Sequence, residues 1–509
     1  MKPWIALFVS LSFLSCRQQE RPVVILYEND VHCAVDGYAA FAGLRDAIRL
    51  ADTAEVFAVS AGDFLQGGAM GSVSNGAYPV DLMCKVGYDA LVPGNHEFDF
   101  GMERMHQQLS RLGSGVVCAN LTVEGGPLYP SLVIRPYGRT KIAFVGVTTP
   151  QAMFSEAYAF TDSLGRPCYS LCPDDLYARV QDAVDSARRV GCRYVVVLSH
   201  LGEVPEKDVS ATSLSLIAAT RGIDAVLDGH SHHLIPCREV LNADGDAVVL
   251  SQTGCQFSHV GKLVIKGPGR LSASCVPIDS IPCRSAAVKA VLDSLNRVTA
   301  DSLGKRIGRT DFPLRIDDEN GVRLVRSQET NQGDFFADAF RFCAGSQLAL
   351  INGGSLRSGL PAGELCVRQI VDAMPFGNKL CTVRLSGKQL RSLLEFGASR
   401  YPEESGKFLQ VSGLRYTLCL PEEGGSKLSE IFVETSPGCW TPLQEGRRYT
   451  LCTLDYLLEG GDGNHSLDKV ELLRSKWMDT TQAIERFMEH CGGVVPERYR
   501  GPQGRITTK

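Results

Sequence analysis

Carboxylate, amide and imidazole side chains directly follow five short apolar runs in the first half of the chain. The runs have the length and composition of β-strands and cover residues 23–27, 56–60, 90–92, 194–198 and 223–227. The polar residues at their ends are Asp30, His32, Asp63, Asn95, His200, His230 and His232. Strand ends of an open α/β sheet face one crevice, so we expect these side chains to converge there. Nitrogen and oxygen donors of this kind bind borderline divalent transition metals.

The number of these candidate ligands suggests two metal ions. One ion takes about four to six ligands, so a set of this size in one crevice predicts a pair of ions that share a carboxylate. Asp63 is the natural bridge, because a carboxylate can offer one oxygen to each ion. The donor set leaves the metal open among Zn²⁺, Mn²⁺, Co²⁺ and Fe.

The order of these motifs, D-x-H, G-D, G-N-H-E, H and G-H-x-H, resembles the calcineurin-like metallophosphatases. D-x-H and G-D are common when taken alone and G-N-H-E is more particular, but specificity comes from finding all five in order. The resemblance assigns one metal to Asp30, His32, Asp63 and His232. It assigns the other to Asp63, Asn95, His200 and His230.

The resemblance gives His96 a catalytic role beside the substrate phosphate. Asp99 is three residues away and can hold one ring nitrogen of His96, which raises the basicity of the other. A protonated His96 would stabilise the phosphoryl group or protonate the leaving group. The alternative is a His–Asp pair that only fixes the start of a helix.

Length and composition predict a globular protein of two or three units. The chain has 509 residues, 44% hydrophobic residues, 21% charged residues and a formal net charge of −5. This charge offers no basic surface for a nucleic-acid polymer. A small nucleotide is still a suitable partner, and nothing in the sequence implies a protein partner.

The N-terminus is predicted to be a lipoprotein signal peptide over residues 1–16. A short positive start and an apolar run lead to Leu14-Ser15-Cys16, which resembles a bacterial lipobox and would leave Cys16 as a lipidated first residue. Ordinary signal cleavage nearby is the alternative. The expected location is the cell envelope, in the periplasm or at the outer membrane. The 18 cysteines, scattered without C-x-x-C pairs, fit either disulfides or buried free thiols.

Alternating strands and helices predict an α/β fold, with a metallophosphatase domain over residues 22–280. The resemblance implies a four-layer sandwich of sheets and helices for this domain. Residues 284–304 carry apolar side chains at helical spacing and predict a linker helix. A second α/β domain, expected to bind substrate, follows over residues 305–496.

The motifs N-G-G-S-L-R, P-F-G-N and G-G-D-G in the second unit resemble the C-terminal domain of the 5′-nucleotidase family. The resemblance implies that Asn352 and Arg357 hold the phosphate or neighbouring polar groups. It also implies that Phe376 and Tyr456 sandwich the base and that Asp462 accepts the ribose hydroxyls. An Arg fork suits phosphate oxygens, and aromatic stacking tolerates different bases.

Several positions depart from the family pattern. Cys33 replaces a glycine and adds a potential soft ligand, and Ser355 replaces the third glycine of N-G-G-G. His232 stands where close relatives carry Gln or Asn. Gln328 falls at a position that is Arg in some members, where Arg326 could substitute.

The function predicted from these patterns is an exported, metal-dependent 5′-nucleotidase that releases nucleoside and phosphate. The nearest alternative is a 2′,3′-cyclic nucleotide phosphodiesterase with 3′-nucleotidase activity, and activity on UDP-sugars is also open. The G-G-D-G acid, Asp462, favours the 5′ enzyme. An alternative of another class is a non-catalytic lipoprotein that captures nucleotides.

Overall fold

A computed structural model describes residues 21–138, 140–162, 166–205, 210–267, 270–420 and 427–509. The expected signal peptide and Cys16 lie outside the described residues. No helix within the described ranges is long and apolar enough to cross a membrane.

The first half of the chain alternates strands with helices. Its strands are β1 (Val23–Glu28), β2 (Glu55–Ser60), β3 (Ala90–Leu91), β4 (Thr122–Val123), β5 (Gly126–Pro127), β6 (Leu132–Tyr137), β7 (Thr140–Thr148), β8 (Tyr169–Ser170), β9 (Tyr194–His200), β10 (Ala225–Leu227), β11 (Leu234–Leu241), β12 (Ala247–Thr253), β13 (His259–Ile265) and β14 (Leu271–Pro277). Its helices are α1 (Gly37–Ala51), α2 (Gly68–Ser74), α3 (Ala77–Val86), α4 (Met102–Ser110), α5 (Ala152–Ser155), α6 (Ala157–Phe160), α7 (Leu176–Arg189) and α8 (Ser213–Ala219).

Two sheets face each other in this half. One has the order β14-β13-β1-β2-β3 and the other β11-β12-β10-β9-β7-β6. Alternation along β1 shows the layering, because Val23 and Ile25 enter the core between the sheets while Val24 and Leu26 face the helical layer. Helices α1 and α3 cover the first sheet, and α7 and α8 cover the second. The predicted four-layer α/β sandwich is confirmed.

Helix α9 (Ala286–Leu303) leads into the second half. Its residues Val288 and Leu292 pack on the first domain, and Leu303 packs against Ala69 and Val371, one from each half. The later helices are α10 (Asn331–Ala344), α11 (Val367–Ala373), α12 (Gly387–Gly397), α13 (Asp455–Leu458) and α14 (Thr480–His490). The later strands are β15 (Arg306–Thr310), β16 (Leu348–Asn352), β17 (Gly363–Cys366), β18 (Lys379–Ser386), β19 (Leu409–Ser412), β20 (Leu414–Leu418), β21 (Leu428–Ser436), β22 (Cys439–Pro442), β23 (Arg448–Leu454), β24 (Glu471–Asp479) and β25 (Ile506–Thr508).

A five-stranded sheet, β19-β16-β23-β18-β24, forms the centre of the second half. Helices α10, α11 and α14 pack on one face and α12 on the other, so this unit also has an α/β fold. Strand β16 ends at Asn352 and delivers the N-G-G-S-L-R segment to the boundary between the two halves.

The two halves are also joined by hydrogen bonds between α2 and the end of α11. The backbone N–H of Ala69 donates to Asp372 Oδ1 at 2.6 Å, and the Ser72 hydroxyl donates to the carbonyl of Pro375. These contacts place Phe376, the next residue, at the edge of the first domain.

A buried acidic pair anchors the C-terminal segment against α10. Glu329 accepts hydrogen bonds from the backbone N–H groups of Gln503 and Ile506, both at 2.8 Å, and Asp334 accepts from Gln503 at 2.9 Å. Burial and Glu329 raise the pKa of Asp334 to about 8, although Arg505 opposes the shift. The folded state therefore holds a proton here that the unfolded chain releases near pH 4.

Because folded Asp334 keeps its proton, we expect the stability of the protein to depend on pH. The pKa of Asp334 is raised in the folded state. The contribution of Asp334 to the free energy of unfolding is therefore fully present below about pH 4 and is lost as the pH rises toward 8. Asp334→Asn cannot ionise, so its free energy of unfolding should fall less between pH 5 and 9 than that of the parent. Denaturant unfolding at each pH measures this. Asp279→Asn, at an exposed site, is the matched control, and equal pH slopes for Asp334→Asn and the parent would contradict the prediction.

Candidate active site

The seven ligand candidates of the sequence meet at one edge of the two facing sheets. Loops after β1, β2, β3 and β10 carry six of them, and His200 is the last residue of β9. Ligand atoms of one group lie within 4.8 Å of one another, and the group consists of Asp30, His32, Asp63 and His232. This is the set that the family resemblance assigns to one ion.

Asp63 also contacts the second set of candidates. Its Oδ2 lies 3.2 Å from His200 Nε2 and 3.7 Å from His32 Nε2. His230 Nδ1 lies 2.9 Å from Asn95 Oδ1. Asp63 thus lies near a histidine of each set, as a bridging ligand requires, and Asp30 Oδ1 also lies 3.8 Å from His200 Nε2.

The donor atoms fit bound cations. His200 Nδ1 donates to the Ala61 carbonyl at 2.6 Å, which leaves the buried Nε2 as a lone-pair donor without a well-oriented hydrogen bond among the described residues. Burial lowers the pKa of His32 and of His232, and neutral imidazole is the form that binds metals. Burial also lowers the pKa of His200, but Asp63 and Asp30 outweigh it and raise this pKa to about 10. The electrostatic field at the cluster therefore favours positive charge.

The backbone at the ligands lies in the left-handed region. Five candidates have positive φ, at 51° for Asp30, 43° for His32, 62° for Asp63, 78° for His230 and 62° for His232. Each such conformation costs free energy in a non-glycine residue and persists only when its surroundings impose it. Their concentration at one site indicates a geometry held for function.

Two motif glycines provide room for the ligands. A Cβ atom at Gly94 would lie 2.2 Å from Asp63 Oδ1 and 2.7 Å from His200 Nε2. At Gly229 it would lie 2.8 Å from His200 Nδ1. The G-N-H-E and G-H-x-H motifs therefore need glycine because any side chain would displace a ligand.

Glu97 holds the two central loops together, a role that sequence patterns did not reveal. Its carboxylate accepts hydrogen bonds from the backbone N–H groups of Asp63 (2.8 Å), Phe64 (2.8 Å), Leu65 (2.9 Å) and Gly94 (2.6 Å). Burial and Asp63 raise the pKa of Glu97 to about 7, while these N–H groups oppose the shift.

His96 and Asp99 form the predicted pair at the entrance to the ligand cluster. His96 Nδ1 lies 3.0 Å from Asp99 Oδ2, and the Tyr158 hydroxyl donates to the Asp99 carbonyl. Burial lowers the pKa of His96, but Asp99 and Asp63 outweigh it and raise the pKa. The buried carboxyl of Glu156 completes a group whose atoms lie within 4.8 Å of one another, and no sequence pattern indicated this neighbour.

A cavity of about 340 Å³ extends from the ligand cluster into the second half. Its lining includes Asn352, Arg357, Phe376, Tyr456 and Asp462, the five predicted substrate residues. The ring centroid of Phe376 lies 5.8 Å from that of His96, and the Arg357 guanidinium lies 5.6 Å from the Phe376 centroid.

Some side chains in and around the cavity differ from expectation. Asn352 is buried and donates to Asp462 Oδ2 at 3.4 Å, so it orients that acid as well as lining the cavity. The Cys33 thiol donates to the carbonyls of Phe64 and Leu65, and burial raises its pKa. Both effects favour the neutral thiol, whereas the thiolate is the form that binds metals. Every cysteine within the described ranges is a free thiol.

Four arginines line the large cavity. The sequence predicts Arg357 there and offers Arg326 as a substitute for Gln328, whereas no sequence pattern indicates Arg323 or Arg400. Gln151, on the segment leading into α5, was missed as well. Their side chains come from loops without a distinctive pattern, so only the folded structure shows that they face the site.

Comparisons with known proteins agree with this geometry. Residues 23–234 match the family described as calcineurin-like phosphoesterase, and residues 306–469 match the 5′-nucleotidase C-terminal domain. The crystal structure of a 5′-nucleotidase precursor from Thermus thermophilus has a TM-score of 0.80 and 25% identity, covering 96% of this chain and 99% of that one. The chain belongs to the 5′-nucleotidase family. It is accordingly a metal-dependent phosphoesterase.

Two further relatives show the breadth of this family. Human 5′-nucleotidase is 26% identical over 89% of this chain and 85% of the human protein. A trifunctional nucleotide phosphoesterase of Bacillus subtilis is 27% identical over 87% of this chain. The match covers 32% of the Bacillus protein, so this chain spans about a third of that relative.

Glu97→Gln tests whether the Glu97 carboxylate holds the site together. The amide would turn an N–H donor toward two of the four backbone N–H groups, so the free energy of unfolding should fall by roughly 2–4 kcal/mol. Metal content after purification should fall too, because the Asp63 loop loses its anchor. Denaturant unfolding and elemental analysis measure both effects.

Glu103→Gln is the matched control, because Glu103 is exposed on α4 and its loss should change stability by less than about 0.5 kcal/mol. Equal stability and metal content in the two variants would contradict the role of Glu97.

Proposed function

We propose that this protein is an exported dinuclear-metal 5′-nucleotidase that converts nucleoside 5′-monophosphates to nucleoside and phosphate. The observation that supports it most is that one cavity is lined by ligand candidates, by His96 and by Phe376, Tyr456 and Asp462. This lining suits a nucleotide whose phosphate lies at the ligand cluster and whose base lies between the aromatic rings.

Two divalent ions held by the seven ligands would neutralise phosphate charge and activate a water nucleophile when bound. The chain's own residues perform the remaining tasks. Asp99 holds His96 through Nδ1 and raises the pKa of His96, so that the protonated ring would donate its Nε2 proton to the departing ribose oxygen. Arg357 holds phosphate oxygens through its guanidinium fork.

Phe376 and Tyr456 would hold the base by its π-faces, and Asp462 would accept the ribose hydroxyls. Asn352 supports this arrangement through its hydrogen bond to Asp462. The second candidate is a 2′,3′-cyclic nucleotide phosphodiesterase with 3′-nucleotidase activity. Enzymes of that kind usually lack the acid at the position of Asp462, so the presence of Asp462 favours the 5′ activity. UDP-sugars are a third class of substrate to test.

A substrate panel tests the proposed reaction. Purified protein loaded with Mn²⁺, Zn²⁺ or Co²⁺ should release phosphate from 5′-AMP faster than from 3′-AMP, cyclic 2′,3′-AMP or UDP-glucose. Chelation should abolish release and added metal should restore it. Preference for the cyclic or 3′ substrate would overturn the 5′ assignment.

His96→Ala is the control that separates enzyme from nucleotide binder. It should keep its metals while turnover falls by about two to four decades, because the proton donor is gone. Tight binding of 5′-AMP without turnover by the parent protein would instead support a non-catalytic lipoprotein.

We also propose that Cys16 is lipidated and anchors the protein in the cell envelope. The lipobox-like Leu14-Ser15-Cys16 motif supports this. Nucleotidase activity should therefore sediment with membranes, and a Cys16→Ser chain should release it to the soluble fraction. Sedimentation of both forms with membranes would contradict the anchor.

A further inference from the structure

Two edge strands of the first half meet where the facing sheets are open to solvent. Strand β14 is the outer strand of one sheet and β11 is the outer strand of the other. Cα atoms of these two strands come within 8 Å of one another. Each strand carries one cysteine, Cys275 on β14 and Cys237 on β11, and both are free thiols in this structure. Neither cysteine is among the described residues that line the large cavity.

Cys275 faces the space between the two sheets. Alternation along β14 places Leu271 and Ala273 against the core between the sheets, and Cys275 is the next residue on the same face. The Cys275 thiol donates to the carbonyl of Gln252, on β12 of the opposite sheet, at 3.4 Å. This thiol therefore already spans the gap between the sheets.

A β-bulge brings Cys237 to the same point. The pairing of β11 with β12 shifts between residues 235 and 238, so Pro236 and Cys237 lie opposite the single residue Ser251. The Ser251 hydroxyl donates to the Pro236 carbonyl at 2.8 Å and accepts a hydrogen bond from Tyr27, a residue of the core between the sheets. Cys237 thus lies beside the step from Ser251 to Gln252, which is the step that the Cys275 thiol contacts.

The two thiols differ in access in the way that stepwise oxidation requires. Cys237 is exposed, whereas Cys275 is partly buried. Burial raises the pKa of Cys275, the hydroxyls of Tyr27 and Ser251 oppose this shift, and the nearby Cys237 adds to it. A disulfide dissolved in water can therefore reach Cys237 first, and Cys275 is placed to react second.

We propose that Cys237 and Cys275 form a disulfide bond that ties the two sheets together at their open edge. The Cys237 thiolate attacks one sulfur of a small-molecule disulfide, which gives a mixed disulfide and one free thiol. The Cys275 thiolate then attacks the Cys237 sulfur and releases the second thiol. The protein loses two hydrogen atoms, and the oxidant is reduced to two thiols. Disulfides join Cα atoms about 4–7 Å apart, so the edges need at most a small approach.

The proposed bond lies behind the loop that follows β10 and carries the ligand candidates of G-H-x-H. Gln252, which the Cys275 thiol contacts, accepts a hydrogen bond from the Ser231 hydroxyl at 3.0 Å and donates to the Gly229 carbonyl at 3.2 Å. Fixing the strands around Gln252 would therefore restrain this loop. We expect bound metal to leave the oxidised protein more slowly than the reduced protein.

Oxidised glutathione tests the pairing on the full-length, metal-loaded protein. After incubation, the denatured parent should contain two fewer reactive thiols, and proteolysis should release a peptide in which Cys237 is joined to Cys275, identified by mass spectrometry. Cys237→Ser and Cys275→Ser should each prevent this crosslink. Cys439→Ser, at an exposed cysteine on β22, is the matched control and should form the crosslink as the parent does.

Stability and metal release measure what the bond does. The crosslinked protein should unfold at a temperature about 5 °C higher than the reduced protein, because the bond closes a long loop. Metal release to a chelator requires local opening of the ligand loop and should slow by about threefold to tenfold. Oxidation of Cys275→Ser should produce neither change.

Three results would overturn the proposal. They are the absence of the Cys237–Cys275 peptide after oxidation, other crosslinks in its place, and equal unfolding temperatures and metal-release rates in the crosslinked and reduced protein. None of these measurements uses a substrate, so failure to hydrolyse 5′-AMP would count against the nucleotidase alone. The export proposed above would bring the chain to a compartment in which disulfides persist, but the pairing rests on the geometry of the edge.

Discussion

Four backbone N–H groups converge on the carboxylate of Glu97, and the ligand geometry follows from this arrangement. It joins the loop after β2 to the loop after β3, which carry Asp63 and Asn95. Several ligands nearby have left-handed backbone conformations that no local preference would maintain. Hydrogen bonds from these N–H groups to the buried carboxylate supply free energy that holds such a strained arrangement.

The two halves of the chain divide the chemistry between them. The first half carries the candidate metal ligands and the His96–Asp99 pair at and just beyond strand ends. The second supplies arginines and Phe376 from loops, Tyr456 from α13 and the acid Asp462 from the short turn that follows it. Contacts from Asp372 to α2 and packing of Leu303 on both halves bring Phe376 beside His96. The cavity that the proposed reaction requires thus depends on the boundary between the halves.

Charge is unevenly distributed across this boundary. The four-residue ligand group contains the carboxylates of Asp30 and Asp63, and the large cavity beside it is lined by Arg323, Arg326, Arg357 and Arg400. Divalent ions would add positive charge beside the ligand group and make that end of the cavity suited to phosphate groups.

Local patterns in the chain were enough to predict the α/β layering, the residue types at the strand ends and the nucleotidase motifs of the second unit. Alternation of apolar residues and short motifs can be found without coordinates, and the strand ends predicted from them differ by at most a few residues. The folded structure was needed to show three further facts. Glu97 joins two loops by hydrogen bonds, the Cys33 thiol donates to a backbone carbonyl, and Arg323 lines the cavity. These facts depend on contacts between distant loops and between the two halves, which no local pattern encodes.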